Sequence, residues 1–288
     1  MPIHKAVSEG DLAQVKALVR QGEDPNLKSG LGQYPLMIAI ERRRNDILEV
    51  LLVDGDADPN VQDRNGLTPL HKACTTGNQA AVPLLIANGA NAVLTSRTGS
   101  SPLHSAVTYR QPDVVSVLLQ HARQAAVLRD SQGWTPLHCA AETDDDSVVG
   151  ALISGGAAVD EVEVEAGSTP LHIACRFGRR KAALRLLELG ADVNRPRFDG
   201  TTPLHIVCEQ GDTKLLDLLL DWGAALDVVN ASGRSGLHYA SLRGNVRMLR
   251  IFLGKKMDLN LRDMQGQTAL HLAVSSGNTE AVRCLLAC

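Results

Sequence analysis

Aliphatic residues return along the whole chain at one fixed interval. With His172 of "TPLHIAC" as a marker, the equivalent positions are His4, Met37, His71, His104, His138, His172, His205, His238 and His271, spaced by 33 or 34 residues. Eleven residues after each marker stand Val15, Leu48, Val82, Val115, Val149, Ala183, Leu216, Leu249 and Val282. Fourteen after stand Leu18, Leu51, Leu85, Leu118, Leu152, Leu186, Leu219, Phe252 and Leu285, and the next position is always aliphatic. Steps of three and four residues place these positions on one face of a helix. Two after the marker an alanine recurs, with Val207 the exception. That column predicts a shorter helix lying close against its neighbours. Glycines six after the marker (Gly10, Gly77, Gly178, Gly211, Gly244, Gly277) fit the end of this first helix. Gly22, Gly55, Gly89, Gly156, Gly190 and Gly223 fit the end of the second. Each unit therefore reads helix, turn, helix, then a polar loop such as "DRNG" (63–66). One such pair cannot bury its apolar stripe, whereas stacked pairs can. The period predicts an all-α solenoid of nine helix–turn–helix units, a single domain over 1–288.

The marker motif makes sense as a helix start. Thr169 is a good N-cap, Pro170 suits the first helical position, and His172 falls at the third. From there its ring can accept from the N-cap backbone N–H and donate from its other nitrogen. The same stretch raises a second question, because His172 and Cys175 are three apart and share a helix face. His71 with Cys74 and His205 with Cys208 repeat the spacing. Elsewhere the cysteine column holds Val7, Ile40, Val107, Ala141, Ser241 and Val274, so cysteine there reads as a small space-filling hydrophobe. A zinc site needs four convergent ligands and a thiol nucleophile needs an oriented base, and neither is visible. No metal, cofactor or catalytic residue is expected.

Composition narrows the class further. A net charge of −3 gives no reason to expect a nucleic-acid partner, and no apolar run is long enough to span a membrane. The N-terminus "MPIHKAVSEG" lacks the regions of a signal peptide, and six cysteines then point to reduced thiols in a cytoplasmic or nuclear protein. The register begins at a first helix and stops inside a second, which leaves Val282, Leu285 and Leu286 expected to be uncovered. That reading allows a fragment of a longer protein or an end surface that meets a partner.

"GLTPLHKAC", "GWTPLHCAA", "GSTPLHIAC", "GTTPLHIVC" and "GQTALHLAV", together with "LL…GAD-x-N", resemble the ankyrin repeat, over essentially the entire chain. The resemblance implies a solenoid with β-turn or hairpin finger loops. It also implies non-catalytic recognition of another protein or an extended peptide along a concave face of fingers and first helices. The module would serve as an adaptor, scaffold or targeting subunit. An inhibitory partner that masks a transcription factor or enzyme is the alternative, and a metal-dependent enzyme using the His/Cys pairs is a third. Carried onto this register, the recognition positions hold Arg64, Arg97, Tyr109, Trp134, Arg176, Phe177, Phe198, Trp222, Arg234 and Arg243. Five of the chain's eight aromatics are among them, and aromatics and arginine are the types that dominate interface energetics. Arg195 and Arg197 flank this set, so an acidic or phosphorylated peptide is the expected ligand. In this family asparagines at the finger base can be hydroxylated. Asn194 in "LELGADVN" is the closest match, although turn formation explains the column by itself.

The pattern breaks in three places. Arg43 and Asp144 stand where glycine is usual, and "QHARQAAVLRD" (120–130) replaces a glycine-ended loop.

Overall fold

A computed structural model describes residues 2–30, 32–255 and 257–287. Among these residues there are eighteen α-helices, one short 3-10 helix and no strand. The helices come in pairs that follow the sequence period. They belong to two compact units, Met1–Ala158 and Val159–Cys288.

The first helix of a repeat is set by its opening residues. At Pro69–Thr76, Thr68 Oγ1 accepts from the His71 backbone N–H (3.3 Å), while His71 Nδ1 accepts from the Thr68 N–H (3.1 Å). Pro69 lacks only an N–H that no helical carbonyl would have met. Gly77, at φ 67°, ends the helix in the left-handed region that a side chain resists. The same reciprocal box opens the helices behind Ser101, Thr135, Thr169, Thr202, Ser235 and Thr268. A cap of this type is worth about 1 kcal/mol.

Several second helices open on an acid or amide. Asp212 Oδ1 accepts from the Lys214 and Leu215 N–H groups at 2.9 and 3.0 Å, and Asn245 accepts from Met248. The apolar stripe then turns inward. Val15, Leu48, Val82, Val115 and Val149 are fully buried in the first unit, as are Ala183, Leu216 and Leu249 in the second. The alanine column is buried without exception from Ala6 to Ala273. Each buried leucine contributes about 1.5–3 kcal/mol, so the core rests on many aliphatic residues rather than on rings. At the last repeat Leu285 is buried, whereas Leu286 is exposed.

The irregular stretches keep their places by other means. Arg43, Arg110 and Asp144 adopt left-handed φ values of 54°, 53° and 58° without being glycine. "QHARQAAVLRD" is accommodated by a 3-10 helix, Arg123–Val127, with Ala125 and Ala126 buried.

Candidate functional site

The finger loops fix where the recognition positions stand. Within each unit, fingertips donate a backbone N–H to the preceding finger: Arg97 to Asn65 O (2.9 Å), Phe198 to Ala166 O (3.0 Å), Ala231 to Asp199 O (2.7 Å), Met264 to Ser232 O (2.9 Å). These bonds hold the tips in register and leave the side chains free to project.

In residues 1–158 the tips are basic. Arg64 and Arg97 are exposed, and Arg64 leans over the Gly32 finger. Arg64 also lines a shallow groove of about 200 Å³ with Met37, Glu41, Asp63 and Lys72, in which Lys72 pairs with Glu41 at 2.7 Å. Tyr109 is 58% exposed just beyond helix Pro102–Thr108. Trp134 is different. Its ring lies 6.4 Å from the His138 ring, while its backbone N–H donates to Asp130 Oδ1 (3.0 Å) and its backbone carbonyl accepts from His104 Nε2 (3.0 Å). It is half-buried and serves the packing between repeats as well as the surface.

In residues 159–288 the surface turns apolar and cationic together. Phe198 is 70% exposed, with its ring resting on Gly167, where a Cβ would come within 2.7 Å of it. Phe177 ends helix Pro170–Arg176, and the Arg176 guanidinium stands 5.7 Å from its ring centroid. Arg195 is exposed and Arg197 half-buried. Arg197 Nε is buried and meets no hydrogen-bond acceptor. Burial lowers the Arg197 pKa, the Arg176 cation lowers it further, and Asp199, Glu163 and Glu209 oppose this from a distance. Arg243 is exposed at the end of helix Gly236–Arg243, and Trp222, 43% exposed, follows helix Thr213–Asp221. Arg234 is committed to its neighbouring finger, bonding Asp263 Oδ2 at 3.0 Å and Gln265 Oε1 at 3.2 Å.

Two exposed fingertip residues escaped the sequence reading. Met264, 76% exposed, occupies the same register position as Phe198, a coincidence visible in the sequence had methionine been counted with the aromatics. Val164, on the finger before Phe198, is also exposed.

The His/Cys pairs are spent on the fold. His172 Nδ1 accepts from the Thr169 N–H at 3.1 Å, and Nε2, facing the Thr201 carbonyl at 3.0 Å, donates to it. His205 bonds Thr202 and the Val228 carbonyl in the same way, and His71 bonds Thr68 and Ser100. Cys74, Cys175 and Cys208 are buried, and burial pushes their thiols far above the usual range. Asn194 is likewise engaged. Its Nδ2 donates to Gly223 O (3.1 Å) and its Oδ1 accepts from the Ala225 N–H (2.8 Å), so its amide ties one finger base to the next repeat. Asn60 does the same with Gly89 and Asn91.

A family model described as "Ankyrin repeats (3 copies)" matches the chain in overlapping segments, 3–96, 44–127, 84–163, 123–197, 142–230 and 204–288. The chain is an ankyrin-repeat protein. Ankyrin repeats are protein-interaction modules, and this chain carries them throughout. It is 37% identical over 89 residues to the human transient receptor potential cation channel subfamily A member 1, covering 31% of this chain and 8% of that protein. It is 38% identical over 93 residues to the mouse B-cell lymphoma 3 protein homolog, covering 31% of this chain and 21% of that one. Human Rabankyrin-5 is 31% identical over 91 residues, covering 32% of this chain and 8% of its own. The matched stretches are thus a minor part of each relative. Among the described residues of the ankyrin-repeat chain, no helix is long and apolar enough to cross a membrane.

Proposed function

We propose that this chain is a non-catalytic recognition module, an adaptor or scaffold, that binds an extended acidic or phosphorylated peptide. The fingertips and first-helix ends of residues 159–288 form the binding surface. The observation that carries the reading is the exposure of Phe198, Phe177 and Arg176 in that unit, with the Arg176 guanidinium 5.7 Å from the Phe177 ring centroid. Exposed phenylalanine rings lose apolar hydration when a ligand covers them. The partly desolvated Arg197, whose Nε lacks an acceptor, gains one from a carboxylate or phosphate. Arginine is suited to this because its planar fork matches either anion with two parallel bonds.

Selection of ligands from a mixed library of acidic, phosphorylated and neutral peptides on the intact chain tests this. The expected yield is enriched in acidic or phosphorylated sequences. Phe177→Ala with Phe198→Ala then weakens the selected peptide by more than about 2 kcal/mol, as loss of hot-spot rings does. Neutral winners, or unchanged affinity in the folded double variant, contradict the reading.

A further inference from the structure

At two junctions between consecutive repeats, one inside each unit, the same three positions come together. These are the marker histidine of one repeat, the residue eight before the next marker, and the residue directly after that marker. His205, Asn230 and Tyr239 show the geometry. Asn230 Nδ2 donates to Tyr239 Oη at 2.9 Å, and the Tyr239 ring meets the His205 ring edge-on with centroids 6.1 Å apart. In the fourth and fifth repeats, inside Met1–Ala158, the same three positions are His104, Asp130 and Cys139. A ring nitrogen, a carboxylate oxygen and a thiol sulfur there lie within 4.8 Å of one another. Lys72, Ser105, Ile206 and Leu272 stand where Cys139 stands in other repeats, and among the described residues this junction alone brings three ligating side chains together.

We propose that His104, Asp130 and Cys139 form a binding site for a thiophilic divalent cation, with zinc the best-suited ion. Imidazole, carboxylate and thiolate together match the borderline softness of zinc, and three protein ligands leave the fourth tetrahedral position to water. Asp130 is already oriented. Its Oδ1 accepts from the Gln132 and Trp134 N–H groups at 2.9 and 3.0 Å, which leaves Oδ2 for the ion. Bonds of this kind, made by the outer partners of a ligand, fix its direction. Asp130 and Cys139 are half-buried rather than enclosed; burial first, then the Asp130 and Glu142 carboxylates, push the metal-free Cys139 thiol up to about 12, so the cation must displace its proton.

His104 changes its bonding on loading. In the metal-free chain Nε2 donates to the Trp134 carbonyl at 3.0 Å, and Nδ1 lies 2.8 Å from Ser101 Oγ. Binding moves the ring proton from Nε2 to Nδ1, from which it is donated to Ser101 Oγ. The Trp134 carbonyl and the Ser101 N–H each lose one hydrogen bond, against three new metal bonds. The Cys139 thiol releases its proton to solvent, and the ion loses the water molecules that the three ligands replace.

Titration of the full chain with cobalt(II), read by absorption, tests the site. One equivalent is expected to give an intense near-ultraviolet thiolate-to-cobalt band that zinc then abolishes. Cys139→Ser removes the band while circular dichroism stays unchanged, since Ser105 occupies the same register position one repeat earlier. Asp130→Asn keeps the finger, as Asn230 does by accepting from the Ser232 and Arg234 N–H groups, and weakens binding about tenfold or more. The proposal is overturned by absence of the band in the unmodified chain. A band that survives Cys139→Ser and disappears in Cys284→Ser overturns it equally.

Discussion

The ring of Phe252 fills the space in which a side chain at position 236 would begin. A Cβ on Gly236 would stand 2.7 Å from Phe252 Cζ and 3.1 Å from Cys208 Sγ. Most other repeats have proline at this first helical position, as at Pro69, Pro102, Pro170 and Pro203, with Ala269 an exception, and all have leucine in the Phe252 column. The eighth repeat thus exchanges a small residue for a large one across a single contact. Gly236→Pro alone is expected to cost about 1–3 kcal/mol through overpacking. Combined with Phe252→Leu it recovers at least about 1 kcal/mol of that loss, because residues in contact do not add. Urea unfolding of the four-member cycle measures this, and strictly additive costs contradict it.

Arg43 and Arg110 break the glycine column and use their side chains in return. Arg43 Nη2 donates to the Thr76 carbonyl at 2.6 Å, and Arg110 Nη2 to the Thr143 carbonyl at 2.8 Å, each reaching the end of the first helix one repeat on. Both residues hold left-handed backbones, near 54° and 53° in φ. Arg110→Ala keeps the backbone strain and loses the bond, so a loss of about 0.5–1.5 kcal/mol is expected. Arg110→Gly loses the same bond but relieves the strain, and it should exceed the alanine variant by about 1 kcal/mol. Equal stability of the two variants would show that the backbone position is unstrained.

Acid should weaken the fold in two stages. Nδ1 of each boxed histidine accepts from a backbone N–H, so a ring protonated there opposes the box. Burial holds His71, His104, His205 and His238 below the ordinary value of 6.5. A folded pKa below the unfolded one means the unfolded chain takes up protons first. The contribution is therefore complete above 6.5 and is lost as pH falls through that value toward the folded pKa. Glu163 and Asp263 act lower. Burial pushes both carboxyls up, but backbone N–H donors, aided at Asp263 by Arg234, outweigh it and hold them below 4.5 and 3.8. Their share is present above those values and is lost as pH falls through the folded pKa. Thermal unfolding from about pH 8 down to about pH 3 should show Tm falling first near 6.5 and again near 4. A Tm constant down to about pH 5 contradicts the histidine part.

Gly167 supports the ring that the functional reading depends on. Its φ of 72° and the closeness of Phe198 mean that Gly167→Ala both strains the finger and displaces the ring. A stability loss of about 1 kcal/mol is expected, accompanied by weaker peptide binding of the same sign as Phe198→Ala. Calorimetric titration of the folded variant checks this. Undiminished affinity would show that the Phe198 position is not what the ligand senses.

The helices, their caps and the buried columns were legible because one physical rule repeats: Thr169, Pro170 and His172 each answer a local requirement of a helix start. The buried cysteines were legible for the same reason, since Cys175 shares its column with Val107 and Ala141. Relationships between columns were not. Arg43 could be seen only to break the glycine column, because its acceptor, the Thr76 carbonyl, lies a full repeat away. Arg234 looked like a recognition residue, yet Asp263 on the following finger claims its guanidinium. Cys139 lies outside the column that pairs a cysteine with its own histidine, and the groups it approaches, His104 and Asp130, are brought near only by stacking.

The central claim is that ligands are recognised on the fingertips and first-helix ends of residues 159–288. Hydrogen–deuterium exchange of the intact chain, with and without its best selected peptide, tests it most directly. The account predicts new protection at the fingers around 163–168 and 197–201 and at the end of helix Pro170–Arg176. Protection confined to second helices such as Arg180–Glu188 and Thr213–Asp221 would contradict it.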